Sequence, residues 1–356
     1  MNKSTIIVIG LGWSSVGFIT NIDTNKYNVE VYSPDNKFVY TPLLAQNIKH
    51  NKVLTLDGSD INNRIKYKNR EIKNIEFNNN KIVSNNNEKN EYNYLILSHG
   101  ASTNTFNIKG VEDFCYFLKN SNDADIIKTH LKTLNNNANI AVIGCGLTGS
   151  EVIGTLLDYN KFNIHAIDAL SRPINMFSEK LSNMAINLWK ENNINIYMNQ
   201  PVSSIDKQQI NFKENPSIKY DLAIWCGGIK KSPLTETILN ILNIENKKGI
   251  PVNEYFRVNT CNNVWAIGDC ADYGLPPTAQ VGYQEGKYLA HHFNNNFKSN
   301  KFKFNNKGQI GYIGLNKSVC QLPYFSSGGN LVYYLNTFIH LYNTVNMKQK
   351  INFFKN

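Results

Sequence analysis

The chain is poor in cysteine and in arginine, and it has no long apolar run. Its six cysteines are scattered through 356 residues, and no two form a Cys-x-x-Cys pair. That sparsity excludes a disulfide-stapled secreted domain and argues against a zinc ribbon or a thioredoxin-type site. No stretch approaches the roughly 18 apolar residues a spanning helix needs, which excludes a multi-span membrane protein. The first apolar strand starts at Ile6, so no cleavable signal is expected ahead of it. Only Arg64, Arg70, Arg172 and Arg257 carry guanidinium groups, although Lys plus Arg exceeds Asp plus Glu by 37 to 27. A reader of nucleic acid favours arginine for bidentate contacts, so no nucleic-acid partner is expected. A lysine excess suits an anionic membrane surface, or a coding bias that the 58 asparagines also suggest.

What is present is enough for a folded core, with 42% hydrophobic and 18% charged residues. The length favours two domains. Ile6 to Ile9 and Val29 to Tyr32 are continuous apolar runs of the kind that buried parallel strands show, about thirty residues apart. Residues 81–83 and 94–97 add strand-like pieces, and Gly100 ends the latter. The pattern restarts at Ile140 to Ile143, with Ile164 to Ile167 as its next strand. Val264-Trp265-Ala266-Ile267-Gly268-Asp269 is a short strand ending in a turn with a carboxylate. It begins no new unit and is read as the chain returning to its first domain. Asparagine clusters at 78–80, 85–87, 135–137 and 294–296 mark loops between these elements.

Two glycine-rich turns carry the chemistry. Gly10-Leu11-Gly12-Trp13-Ser14-Ser15 follows a strand and opens a helix: Gly10 permits the tight turn, Gly12 lets backbone approach a pyrophosphate, and Ser15 stands at the third glycine position. The usual acid about twenty residues on is missing, because the second strand ends Tyr32-Ser33-Pro34; Asp35 is the available substitute. Gly144-x-Gly146-x-x-Gly149-x-Glu151 is the complete pattern, and Asp168 ends the next strand where a carboxylate accepts from an adenosine ribose hydroxyl. An acid there repels a 2′-phosphate and predicts NADH over NADPH, with Arg172 four residues on able to blunt that preference. Cys145 lies inside the pattern without a partner cysteine, and the remaining cysteines read as small buried hydrophobes. His291-His292 reads as surface rather than metal-binding.

On these residues the chain resembles the type II (alternative, non-proton-pumping) NADH dehydrogenases, flavoproteins with two dinucleotide domains. The resemblance extends through Phe38 to Leu44, Asn104 to Val111, Trp265 to Cys270 and Leu275 to Gly286, and includes Tyr312 to Lys317. It implies an α/β fold of two Rossmann-like, doubly wound dinucleotide-binding domains, glutathione-reductase-like, plus a C-terminal amphipathic helical membrane anchor. The expected layout is 1–110 and 254–310 for FAD, 111–253 for NADH and 311–356 for membrane association. By resemblance, non-covalent FAD lies on Gly10, Gly12, Ser15, Ser33, Gly100, Gly268, Asp269 and Ala279, with Thr41 and Pro42 beside its isoalloxazine. NADH lies on Gly144, Gly146, Gly149 and Asp168, and Glu151 is close to its nicotinamide. Gln280 and Gln284 border a quinone tunnel, and Lys317 approaches the flavin and Glu151. Tyr283 and Gly282 depart from residues common in relatives at those two positions.

The activity so implied is transfer of hydride from NADH to FAD and then of two electrons to a membrane quinone. A sulfide:quinone oxidoreductase is an alternative on the same fold, disfavoured by the lack of a close cysteine pair. An apoptosis-inducing-factor-like flavoprotein with slow NADH oxidation is another, disfavoured by few arginines and by the glutamine pair. The tail supports a surface location. Leu331, Tyr334, Leu335, Phe338, Leu341, Tyr342 and Val345 form one helical stripe, with Asn336 and His340 on the other side and Lys348, Lys350 and Lys355 beyond. A peripheral protein of a bacterial or organelle inner membrane is expected, and a homodimer is left open.

Overall fold

The structure, a computed structural model, describes residues 3–50, 55–245 and 248–343. The chain opens with β1 (Ser4–Ile9), α1 (Trp13–Ile19), β2 (Tyr27–Ser33), β3 (Lys66–Asn69) and β4 (Tyr94–Leu97). A second set follows: β5 (Asn139–Ile143), α2 (Leu147–Leu157), β6 (Asn163–Ile167), α3 (Glu179–Glu191), β7 (Asn195–Tyr197) and β8 (Leu222–Trp225). Then come α4 (Pro233–Ile241), β9 (Val264–Ala266) and α5 (Ala279–Asn294). The last elements are β10 (Gln309–Gly314), β11 (Lys317–Leu322), β12 (Phe325–Gly329) and α6 (Asn330–Tyr342).

Two compact units result. The first comprises Met1–Val39, Thr55–Ser102 and Ile229–Asn305, the second Tyr40–Leu54, Thr103–Gly228 and Asn306–Asn356. In the first, a five-stranded sheet runs β9-β4-β1-β2-β3, every pair parallel. Ile6, Ile7 and Val8 are fully buried, as an all-parallel sheet covered on both faces requires. The late strand β9 pairs with β4, Trp265 against Ile96, so the chain does return to its first sheet. The second unit repeats the plan: β8, β5, β6 and β7 are parallel neighbours in that order, with the two-residue strand Tyr116–Phe117 outside β8.

The borders differ from those expected. The return occurs at Ile229 rather than 254, because Ile238, Leu239 and Ile250 share one apolar cluster with Ile7, Ile9, Leu95 and Leu97. Residues 40–50 pack with the second unit: the Tyr159 hydroxyl donates to the Ile48 carbonyl at 2.7 Å, and the Lys49 ammonium donates to the Asp158 carbonyl. These are tertiary contacts with no local signal.

Among the described residues no helix is long and apolar enough to cross a membrane. Helix α6 is inverted relative to an ordinary surface helix. Leu331 is 84% exposed and Phe338 63%, with Tyr334, Leu335 and Tyr342 also outward, whereas Asn336 and His340 are buried. The outward apolar stripe is the one expected from the sequence; the polar residues opposite it face the protein, not water. Val345, Lys348, Lys350 and Lys355 lie outside the described residues.

Candidate functional site

In the second unit each glycine of the turn has its own constraint. Gly144 sits at φ +93°, and a Cβ there would meet the Cys226 backbone at 2.7 Å; at Gly149 it would stand 1.8 Å from the Gly144 carbonyl. Gly146 is the opposite case. A Cβ on it would meet nothing within 4 Å, so bare backbone faces open space. Gly146 is also the N-cap of the eleven-residue α2 and makes no side-chain cap bond. The helix therefore presents its free N–H groups and positive end to that space, the arrangement that binds a diphosphate.

Asp168 is buried at the end of β6, with one oxygen engaged by the glycine turn and the other by its own loop. Oδ2 accepts the Cys145 N–H at 2.6 Å and Oδ1 the Leu170 N–H at 2.8 Å. A carboxylate oxygen has a further lone pair, so a ribose hydroxyl can still be bound by an acid already oriented by backbone. Arg172 does not serve as a phosphate ligand here. Its guanidinium donates to the carbonyls of Phe177 and Asn175, both at 2.8 Å, and to Ser182 Oγ at 2.5 Å. The fork is spent on shaping residues 172–182. Glu151, in the first turns of α2, is half-buried; burial pushes its carboxyl up to about 8, partly offset by the Tyr312 N–H that it accepts.

The first unit is built alike. Gly10, at φ +103°, donates to the Tyr32 carbonyl at 2.8 Å, and a Cβ on it would stand 2.3 Å from the Ser98 carbonyl. Gly12 and Gly100 face open space. Ser15 tolerates the third position because its hydroxyl is absorbed: Oγ lies 2.8 Å from the Gly10 carbonyl and 2.8 Å from Ser98 Oγ. Ser33 is buried at the end of β2, its Oγ 3.4 Å from Asp35. Gly268 takes φ +72°, with Asp269 next, and Ala279 begins α5 behind the Thr278 cap, whose hydroxyl accepts the Val281 N–H. The bare cradles at Gly12 and Gly146 are what a bound dinucleotide in each unit requires.

The remaining candidates are spread over both units. Thr41 and Pro42 form a single turn of 3-10 helix in the second unit, next to Tyr40, whose hydroxyl lies 3.2 Å from His340 Nδ1 on α6. Gln280 lies in the first turn of α5. Gln284 shares its face, yet its amide is used at both ends: Nε2 donates to the Asn305 carbonyl and Oε1 accepts the Asn305 N–H, each at 3.0 Å. Lys317 stands opposite Gly314 in the β10–β11 pairing, and among the described residues no ion pair joins it to Glu151. His292 is a core residue, bonded to Ser299 Oγ at 2.6 Å and stacked on Tyr255. Of the six free cysteines Cys145, Cys270 and Cys320 are buried and the others half-buried, and no metal-ligand group occurs among the described residues. Sequence reasoning missed Glu285, whose buried carboxylate accepts the Gly268 N–H; an acid inside an otherwise apolar helical face was the signal available.

Two parallel-sheet units, each ending in an open glycine cradle, define a two-dinucleotide oxidoreductase. The chain belongs to the pyridine nucleotide-disulphide oxidoreductase family, which it matches over residues 4–286. It is 26% identical to a probable mitochondrial NADH-ubiquinone oxidoreductase of Schizosaccharomyces pombe, over 99% of this chain and 81% of that protein. It is 27% identical to an external alternative mitochondrial NADH-ubiquinone oxidoreductase of Yarrowia lipolytica, over 98% and 78%. In three dimensions it matches NDH2 from Plasmodium falciparum in complex with NADH, with a TM-score of 0.91, 25% identity, and 99% and 97% of the two chains covered. The sulfide:quinone oxidoreductase of Aquifex aeolicus, at 16% identity and a TM-score of 0.82, shares the fold.

Proposed function

We propose that this protein is a non-proton-pumping NADH:quinone oxidoreductase that works at a membrane surface. The observation that carries the reading is the pair of cradles at Gly12 and Gly146, in a chain whose likeness to an NADH-bound type II enzyme spans almost its whole length. The first unit holds FAD non-covalently and the second binds NADH as substrate. When bound, FAD supplies the redox chemistry, taking hydride from NADH and returning two electrons to quinone.

The side chains bind and orient. Gly144, Gly146 and Gly149 bring backbone to the NADH diphosphate, and Asp168 receives the ribose hydroxyls and repels a 2′-phosphate. Glu151, protonated at neutral pH by its burial, presents an uncharged group toward the nicotinamide. Asp269 holds the ribityl chain. Thr41 and Pro42 would help to hold the isoalloxazine, and Gln280 would border the quinone site. Gln284 acts on that site through Asn305, because its amide is already bonded there.

The outward stripe of α6 is the membrane contact. Residues 318–347 contain no Asp, Glu, Lys or Arg, so nothing charged opposes burial of Leu331, Tyr334 and Phe338 at the headgroup boundary. Peripheral attachment to an inner membrane follows, which keeps the enzyme beside a lipid-dissolved substrate. The deciding assay is NADH oxidation with and without a short-chain quinone. Rapid turnover only with quinone is expected; slow oxidation unaffected by quinone, or flavin reduction by sulfide, overturns the reading.

A further inference from the structure

Glu285 has no part in that scheme, yet it is an expensive residue to keep. It is 3% exposed on α5, and a carboxylate so buried destabilises the fold unless it is bonded. Its Oε2 accepts the Gly268 N–H at 2.6 Å, a short charge-assisted bond to the residue just before Asp269. The helix carrying it cannot shift. A Cβ on Gly17 of α1 would stand 2.2 Å from the Tyr283 carbonyl, and one on Gly286 would stand 1.9 Å from the Ser14 carbonyl, so the two backbones touch. The turn cannot shift either: a Cβ on Gly268 would lie 2.5 Å from Ser14 Oγ, which is itself 2.6 Å from Ser98 Oγ.

Three ionisable groups face this carboxylate: Asp269 and the Cys270 thiol in the same turn, and the Tyr273 phenol beyond it. Helix α1 contributes serines and no charge. Burial, with the Asp269 charge added, raises the Glu285 carboxyl to about 7, so it changes charge within the working pH range.

We propose that Glu285 is the positioning residue of the flavin site, holding the Gly268–Asp269 turn in shape for the ribityl chain and adding a titratable negative charge that sets the electron affinity of the bound flavin. The proposal rests on the assignment of FAD to the first unit. Two functions are separable: the bond shapes the turn, and the charge tunes the flavin.

Glu285→Gln keeps an oxygen for the Gly268 N–H but no charge, whereas Glu285→Ala loses both. FAD affinity, measured by fluorescence on protein freed of flavin, should fall about tenfold in Glu285→Ala and stay near wild type in Glu285→Gln. The midpoint potential of the bound flavin, followed by spectroelectrochemistry from pH 5.5 to 8.5, should be more positive in Glu285→Gln at the alkaline end. The two curves should converge at the acid end, where the wild-type carboxyl is neutral. Superimposable potentials across the range overturn the electrostatic role, and unchanged FAD affinity in Glu285→Ala overturns the positioning role. Wild-type protein that binds no FAD would instead overturn the assignment of the first unit, and the proposal with it.

Discussion

Substituting Gly12 separates flavin binding from folding. Its backbone (φ −96°, ψ −166°) is extended and open to any residue, and a Cβ there meets no protein atom within 4 Å. Gly12→Ala should therefore leave the flavin-free fold within about 1 kcal/mol of wild type, since the loss of glycine's unfolded-state entropy and the poorer N-cap nearly cancel. Gly10→Ala is the control, because its Cβ would lie 2.3 Å from the Ser98 carbonyl at φ +103°. That variant should lose about 2–4 kcal/mol with or without flavin. In Gly12→Ala the added methyl occupies the space a diphosphate needs, and a hundredfold loss of FAD affinity corresponds to about 2.7 kcal/mol. The assay is thermal melting of flavin-free protein with FAD added at 100 times the wild-type Kd. Wild type should gain about 2.7 kcal/mol from the ligand and Gly12→Ala about 0.4 kcal/mol. Equal stabilisation of the two proteins by FAD would refute the cradle.

Glu151 carries a pH signature. Its carboxyl is raised from 4.5 to about 8, so the folded state favours the protonated form; that contribution is complete below the lower value and is lost as pH climbs through the upper. Glu151→Gln should match wild type near pH 4 and be about 2–4 kcal/mol more stable near pH 9, and melts showing no such divergence would remove the carboxyl from its buried setting. Arg172→Ala should lower the melting temperature, because the Asn175 and Phe177 carbonyls and the Ser182 hydroxyl each lose a donor, without improving the use of NADPH. Asp168→Ala should relax the nucleotide preference, and a wild type that already favours NADPH in steady-state kinetics would sink that role for Asp168. Leu335→Ser with Phe338→Ser should weaken sedimentation with anionic vesicles and leave the melting temperature unchanged, since both side chains already face outward; a fall in melting temperature would make the stripe a packing surface instead.

The parts of this fold that are legible in the sequence are those whose signal is local. Ile6 to Ile9 followed by Gly10 and Gly12 announces a buried parallel strand and a turn with positive φ, and each piece falls where its own residues require. The late strand at Val264 could be assigned to the first sheet because its length and its Gly-Asp ending fit no new unit. Long-range obligations have no such mark. Nothing near Arg172 says that its guanidinium is consumed by Phe177, Asn175 and Ser182, and nothing near Gln284 points to Asn305, twenty-one residues on. The early return at Ile229 is likewise set by where Ile238 and Leu239 find an apolar partner, a property of the folded chain and not of the segment.

The tail shows how periodicity finds a face without telling which way it points. The same spacing that gathers Leu331, Tyr334, Leu335 and Phe338 on one side would serve a helix packed on its own core. Packing then decides the orientation. Helix α6 buries Val332, Asn336 and His340, a stripe with a single apolar member, and the side-chain bonds at its buried face are polar: Asn336 to Ser318 Oγ at 3.4 Å and Tyr40 to His340 at 3.2 Å. A helix that gave its apolar side to the protein would satisfy the hydrophobic effect and leave water outside. This one gives its polar side to the protein and its apolar side outward, and the proposed membrane contact rests on that inversion. The same inversion ties that outer face, through His340 and Tyr40, to the turn at Thr41 and Pro42.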